Sequence, residues 1–270
     1  MCVTSAPALI RGTQTVTYAT KLSGHPFHVN FYQNRAKSLA IGGNCMFLNY
    51  PGSNLSMVDG PQHTYHLMSD MTAQLEELVY VPRTRIGASY GGAKGMSVVE
   101  YGDYTTILCE GPDNILSLLD EVRPDRRPQR TKQLEEMVQF YMSMFPHDSF
   151  SLSCFSGQTE PRHPIAVRYI PRNPRVLTAP GLDGHDGNPP EVGDLMQRDF
   201  TVGFALQGAS IGVSVPYRDP ITGASWAPSS VAGFVDNRPN AFNLDYMVLA
   251  SDLIEGYNGQ KLAERLLMSL

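Results

Sequence analysis

The stretch Gln14-Thr-Val-Thr-Tyr-Ala-Thr20, followed by a turn at Ser23-Gly24 and by Phe27-His-Val-Asn-Phe-Tyr32, decides the predicted fold. Its first run is rich in residues that favour strands, and the apolar residues of its second run alternate with more polar ones. Because side chains on a strand point alternately to its two faces, this pattern predicts a β-hairpin with one apolar face.

Runs of the same kind continue along the chain and predict further strands. They lie at 44–50, 96–101, 104–110, 150–155, 165–170, 201–206, 211–215 and 231–235. In four other segments apolar residues recur at steps of three and four, which predicts amphipathic helices. Those segments are 68–78, 112–122, 132–142 and 260–270.

The order of these predicted elements indicates the fold class. Strands precede and follow the helices without the regular strand–helix alternation of a parallel α/β sheet. We therefore expect a strand-rich α+β single domain over residues 1–270, with mainly antiparallel sheets and three to four helices packed on one side. The N- and C-terminal strands are expected to share one sheet system. Residues 171–194, with five prolines and four glycines, are expected to form an irregular surface excursion within that domain.

The composition suits a globular protein with modest charge. The 270 residues are 42% hydrophobic and 17% charged, so the chain can bury a core without disulfide bonds. Its formal net charge is −5, and its densest basic stretch, 123–132, contains prolines and an aspartate, which favours a solvated loop. We therefore expect no nucleic-acid partner. Since no long apolar stretch and no charged leader are present, we expect a cytoplasmic protein without a membrane partner.

Cys2 is the first candidate for chemistry. Removal of Met1 would expose a cysteine whose own α-amine can act as base for its thiol. The start Met1-Cys2, with the β-rich sequence after it, resembles choloylglycine-type N-terminal nucleophile hydrolases. The resemblance covers only these two residues and their context, because the segment with Asn34 and Arg35 lacks the Asp of that family. It implies a thiol amidohydrolase with Cys2 as nucleophile and Asn34 and Arg35 orienting substrate; an ordinary second residue is the alternative.

A glycine-rich stretch at 181–187 is a candidate metal site. It brings Asp183, His185 and Asp186 close together in sequence, and carboxylate and imidazole groups are common metal ligands. The stretch lacks the ordered oxygens of an EF-hand, and the same residues form ordinary tight turns, which is the alternative reading.

A second glycine-rich stretch, 87–95, is a candidate anion site. The backbone N–H groups around Gly91 and Gly92, together with Lys94, could cradle a phosphate. The P-loop pattern is absent, because Lys94 is followed by glycine and methionine, and a surface loop is the alternative. No other motif requires a bound group, and we predict no cofactor.

Three classes of function remain open from the sequence. The weak motif signals and the twelve methionines favour a non-catalytic binding or assembly protein, with a protein partner or self-association. The alternatives are the thiol amidohydrolase at Cys2 and a metal- or phosphate-binding protein. The sequence therefore leaves open whether the chain is an enzyme.

Overall fold

The computed structural model describes residues 2–19, 26–57, 96–160, 165–197, 200–207, 231–236 and 240–251. Most of these residues lie in strands. The strands are β1 (Val3–Thr4), β2 (Ala8–Ala19), β3 (His28–Ser38), β4 (Asn44–Tyr50), β5 (Gly52–Met57), β6 (Ser97–Tyr101), β7 (Tyr104–Cys109), β8 (Ser149–Phe155), β9 (Ile165–Pro171), β10 (Val176–Ala179), β11 (Leu195–Gln197), β12 (Phe200–Gln207), β13 (Val231–Asp236), β14 (Asn240–Phe242) and β15 (Tyr246–Leu249). The helical segments in this part of the chain are a 3₁₀ helix (Pro112–Glu121) and the α-helix α1 (Lys132–Met144).

Two larger sheets organise the described strands. The six-stranded sheet has the order β13-β12-β2-β3-β9-β5, and β12 with β2 is its parallel pair. The five-stranded sheet has the order β1-β4-β8-β7-β6 and is antiparallel. The pairs β10–β15 and β11–β14 are also antiparallel. The prediction of a strand-rich fold with mainly antiparallel sheets is confirmed, and strands from both ends of the chain share one sheet.

The predicted helix content is wrong. Within the ranges that the structure describes there are two helical segments rather than three to four, and one of them is a 3₁₀ helix. Apolar residues at steps of three and four suit either kind of helix, because a 3₁₀ helix has three residues per turn. The two segments start differently: Gly111 offers no side chain to cap the first, whereas the Thr131 hydroxyl accepts a hydrogen bond from the Leu134 N–H.

The correction leaves an α+β fold with few helices. Both helical segments pack against the five-stranded sheet, where they share one hydrophobic core with residues of β4, β7 and β8. The helices predicted at 68–78 and 260–270, and the strand predicted at 211–215, lie outside the described residues. Neither described helix has the length and apolar character needed to cross a membrane.

The first hairpin is longer than predicted. Both of its strands extend beyond the predicted 14–20 and 27–32. Gly12 has a φ of 61°, and the pairing of β2 with β3 shifts register between Arg11 and Gln14. A bulge of this kind breaks the alternation of side chains, so the sequence before it does not show the period of a strand. The extended parts of β2 and β3 carry the candidate sites described below.

Helix α1 buries four of the five residues of its predicted apolar stripe. Leu134, Met137, Val138 and Tyr141 are buried, whereas Met142 is 37% exposed. The ring of Tyr141 stacks on Phe47 of β4, with their centroids 5.1 Å apart. Because β4 also pairs with β1, this core helps to fix the position of the N-terminal strand.

Candidate functional site at Cys2 and on the first hairpin

Backbone hydrogen bonds bring a distant segment of the chain to Cys2. The Gly184 N–H donates to the Cys2 carbonyl at 3.0 Å, and the Thr4 N–H donates to the Gly184 carbonyl at 2.9 Å. The chain after β1 is held in the same way, since the Ala8 N–H donates to the His185 carbonyl at 2.8 Å. The residues that flank Gly184 therefore lie beside the N-terminal strand.

Four side chains meet at this point, and we call Cys2, Asn34, Asp183 and His185 the Cys2 cluster. The backbone N–H of Cys2 donates to Asp183 Oδ1 at 3.1 Å, and the same oxygen lies 3.0 Å from His185 Nε2. The Cys2 sulfur lies 3.8 Å from that histidine nitrogen and 3.9 Å from Asn34 Nδ2. Cys2 is only 1% exposed. The cluster joins the predicted nucleophile to two residues of the predicted metal loop.

Asn34 is held in place by a buried network. Its Nδ2 group donates to the Tyr32 hydroxyl at 3.0 Å, and the Tyr104 hydroxyl donates to Asn34 Oδ1 at 3.3 Å. The Tyr104 hydroxyl also lies 3.2 Å from Thr159 Oγ1. Burial, with a further contribution from Cys2, raises the pKa of Tyr32 well above its usual value. These tyrosines are therefore neutral, and they fix the orientation of the Asn34 amide.

Asp183 and His185 form a charged pair at neutral pH. Burial lowers the pKa of His185, but its hydrogen bonds to Asp183 and Cys2, together with the negative charge of Asp183, outweigh it and raise that pKa to about 9. Burial also acts to raise the pKa of Asp183, but the hydrogen bond and positive charge of His185 act against it, and that pKa lies well below its usual value. Because the Cys2 N–H donates to the carboxylate of this pair, the pair helps to tie residues 183–185 to the segment just before β1.

The other predicted site residues lie elsewhere. Arg35 follows Asn34 on β3 and points to the opposite, exposed face of the hairpin, away from Cys2. Asp186 is exposed, and its carboxylate accepts hydrogen bonds from the backbone and side chain of Asn188, as in a tight turn. The candidate anion residues Gly91, Gly92 and Lys94 lie outside the described residues. Among the residues that the structure describes, no three His, Cys, Asp or Glu side chains, those of the Cys2 cluster included, are arranged so that they could hold a metal ion.

The outer face of the first hairpin carries a different kind of surface, which we call the hairpin patch. Three large apolar side chains are exposed on this face or in the turn after β3: Leu9 by 45%, Leu39 by 55% and Ile41 by 95%. Three cationic side chains are exposed beside them. None of these three forms a salt bridge with a described residue. The hairpin patch consists of Leu9, Arg11, Arg35, Lys37, Leu39 and Ile41.

The basic stretch 123–132 differs from the hairpin patch in one respect. Each of its five cationic side chains has an acidic partner within 4 Å, so its positive charge is neutralised internally, in agreement with the predicted loop. The pairs are Arg123–Asp125, Arg126–Glu100, Arg127–Asp120, Arg130–Glu135 and Lys132–Glu136. Among the described residues, the cations of the hairpin patch therefore differ from this stretch in having no acidic partner, as do the separate Arg168 and Arg175.

Sequence reasoning missed Arg11 and Lys37 as candidate residues. A signal for an exposed strand face was present in this segment. Arg35 and Lys37 alternate with Asn34 and Ala36, which are buried, as on a strand with one face in solvent. The predicted second strand stopped before them because the alternating apolar residues end at Phe31 and Tyr32. Pairing with β2 extends the strand beyond that point.

No protein-family model matches the chain, and no curated protein matches it. Solved structures that are similar to it include baculovirus P35, at 12% identity and a TM-score of 0.44, over 92% of this chain and 99% of that chain. A mutated baculovirus P35 after caspase cleavage is 9% identical, with a TM-score of 0.45 over 87% and 99%. The caspase-8/P35 complex is 10% identical, with a TM-score of 0.42 over 88% and 96%. At these values the similarity does not indicate what this chain binds.

Proposed function

We propose that this protein is a non-catalytic binding protein that contacts a protein partner through the hairpin patch. The observation that carries the proposal is the combination of cationic side chains without acidic partners on the outer face of β2 and β3 with exposed apolar side chains there and in the turn that follows β3. Contiguous exposed apolar surface bordered by polar residues is typical of interaction sites. The cations are positioned to select the partner, because charges at an interface act mainly on specificity and on the rate of association.

Ile41 is the natural anchor of such a contact. Its side chain is 95% exposed, and it lies in the short turn between β3 and β4. Burial of a fully exposed isoleucine contributes about 1.5–3 kcal/mol. The turn itself is well fixed, since a Cβ atom on the neighbouring Gly43 would lie 2.2 Å from the carbonyl oxygen of Arg126. A partner would therefore bind at a turn whose backbone is already packed against the rest of the protein.

The geometry of the Cys2 cluster does not favour thiol hydrolysis. In a catalytic triad the nucleophile and the acid contact opposite nitrogens of the histidine ring. Here the Cys2 sulfur and Asp183 Oδ1 both approach His185 Nε2. The carboxylate also lies 3.1 Å from the Cys2 backbone nitrogen. If Met1 were removed, this carboxylate would stabilise the protonated amine, which cannot act as a base.

We expect iodoacetamide to label Cys2 of the native protein no faster than the other three cysteines. All four thiols are free and buried, and alkylation requires an accessible sulfur. The measurement is a time course of labelling at neutral pH, read by peptide mass spectrometry, with the unfolded protein as the positive control. Rapid labelling of Cys2 that Cys2→Ala abolishes and Cys109→Ala does not would favour the hydrolase instead.

The binding proposal is tested with two matched charge-reversal variants. The patch variant is R11E/R35E/K37E. The control variant, R123E/R130E/K132E, makes the same change in formal charge at side chains that are 51%, 62% and 85% exposed. Proteins are captured from an extract of the expressing cells on immobilised wild-type protein and on both variants, and they are quantified by mass spectrometry.

We expect at least one protein to be retained by the wild type and the control variant and to fall by about tenfold or more on the patch variant, equal to about 1.4 kcal/mol. Circular dichroism melts of the three proteins should agree closely, because the exchanged side chains are exposed and each surface ion pair that the control variant loses contributes no more than about 1 kcal/mol. If every captured protein binds the patch variant as well as the wild type, the proposal is wrong.

A further inference from the structure

We infer that the surface recognised by the hairpin patch is an acidic protein segment with an apolar residue beside its carboxylates. This inference rests on the proposed function and adds the chemistry of the partner. It follows from the pairing of β2 with β3, from the exposed apolar side chains next to that pairing, and from the absence of acidic partners among the described residues.

Two arginines face each other across the hairpin. Arg11 of β2 is the direct cross-strand partner of Arg35 of β3. The Cβ atoms of directly opposite residues lie about 4.5–5.5 Å apart, and like charges at such positions destabilise a sheet. One carboxylate between the two guanidinium groups would relieve this repulsion and accept hydrogen bonds from both. The arginine pair is therefore a site built for a carboxylate.

The third cation extends this site toward the apolar side chains. Lys37 is the cross-strand partner of Leu9, one step along the same face from the arginine pair. Leu39 follows the end of β3, where its N–H donates to the Pro7 carbonyl at 2.9 Å. The order along the hairpin is therefore arginine pair, then lysine with leucine, then the exposed turn with Ile41. A partner segment that matches this order carries acidic residues first and an apolar residue next to them.

Other anionic partners fit this surface less well. Nucleic-acid sites normally combine extended positive charge with aromatic side chains for stacking, and the hairpin patch has three cations and no aromatic residue. Each cation near an anionic membrane contributes about 1 kcal/mol, so three give only weak attachment. Paired guanidinium groups, in contrast, match carboxylates in geometry as well as in charge.

The test selects binders without assuming a sequence. A random peptide library displayed on phage is panned on the immobilised wild-type protein. Each enriched clone is then assayed on the patch variant R11E/R35E/K37E, on the control variant R123E/R130E/K132E and on Ile41→Ser, with Leu195→Ser as its control because Leu195 is 68% exposed on another strand. We expect clones that contain aspartate or glutamate next to an apolar residue.

Peptides made from these clones should bind the patch variant at least about tenfold more weakly than the wild type. Their affinity should fall when NaCl rises from about 50 mM to about 500 mM, because salt screens exposed charges. Ile41→Ser should weaken binding while Leu195→Ser should not.

The possible failures can be told apart. Clones that depend on the patch but lack acidic residues overturn the acidic-segment inference and leave the proposed function standing. If no clone depends on the patch and the extract experiment is also negative, both are wrong. Vesicles with phosphatidylserine and a single-stranded oligonucleotide are assayed in parallel. Patch-dependent binding of either one that is tighter than that of the peptides also overturns the inference, as does a patch-dependent dimer, detected by light scattering, that excludes the peptides.

Discussion

Replacing Asp183 with alanine is expected to lower the free energy of unfolding by about 3–5 kcal/mol at neutral pH, because it removes one partner of a largely buried ion pair. Asp183 Oδ1 lies 3.0 Å from His185 Nε2 and accepts the Cys2 N–H at 3.1 Å, so the change leaves both groups without their acceptor. The measurement is urea unfolding followed by circular dichroism. Asp183→Asn should cost less than the alanine variant, because the amide oxygen can still accept a hydrogen bond.

The matched control for this prediction is Asp186→Ala in the same loop. The Asp186 carboxylate is exposed and, within the described part of the chain, accepts its hydrogen bonds from Asn188, so its loss should cost no more than about 1 kcal/mol. Equal losses at the two positions would contradict a specific role of the ion pair.

The pH dependence of stability supplies a second readout of the same pair. The pKa of His185 is raised from 6.5 to about 9 in the folded protein. A raised pKa means that this contribution to stability is present below pH 6.5 and is lost as the pH rises through about 9. The wild type should therefore lose about 3 kcal/mol of this contribution over that interval, and Asp183→Ala should lose much less.

The strands of this fold could be predicted from the sequence where alternation is regular. The predicted strand 44–50 coincides with β4, and 165–170 differs from β9 by one residue. The pattern failed at the Gly12 bulge and in the polar end of β3, where pairing between strands decides the structure. It also failed to separate an α-helix from a 3₁₀ helix, since apolar residues at steps of three and four fit both.

The candidate site was predicted only in pieces. Cys2, Asp183 and His185 were each singled out, but their meeting requires a backbone contact between segments about 180 residues apart, which no local pattern can reveal. The same limit applies to Arg11 and Arg35, whose pairing depends on the register of the hairpin. The sequence could therefore indicate candidate residues by their type, but it could not show which of them meet in space.

The first hairpin relates the two sites through the alternation of a single strand. On β3, Asn34 faces inward to Cys2, and the next residue, Arg35, faces outward on the hairpin patch. The inner face is neutral apart from the Asp183–His185 pair, and the outer face carries uncompensated positive charge. A shift of β3 by one residue against β2 would exchange these faces, so the buried network around Asn34 also fixes the register of the patch.

Replacing Met137 with alanine is expected to cost about 2–5 kcal/mol, because it removes a buried side chain and leaves a cavity between α1 and the five-stranded sheet. Met137 is 0% exposed and packs in the same core as Leu134, Val138 and Tyr141. The midpoint of urea unfolding should fall while the slope of the transition stays the same, as is expected when stability changes without a change in the unfolded state.

Met144→Ala is the matched control, because it makes the same chemical change on the same helix at a side chain that is 43% exposed. Its effect should stay within about 0.5 kcal/mol. The comparison isolates burial from helix preference, since alanine is a good helix former at both positions. Losses of similar size in the two variants would mean that α1 does not pack on the sheet through the stripe of Met137. The core that fixes β4, and through it the start of β1 beside Cys2, would then have to lie elsewhere.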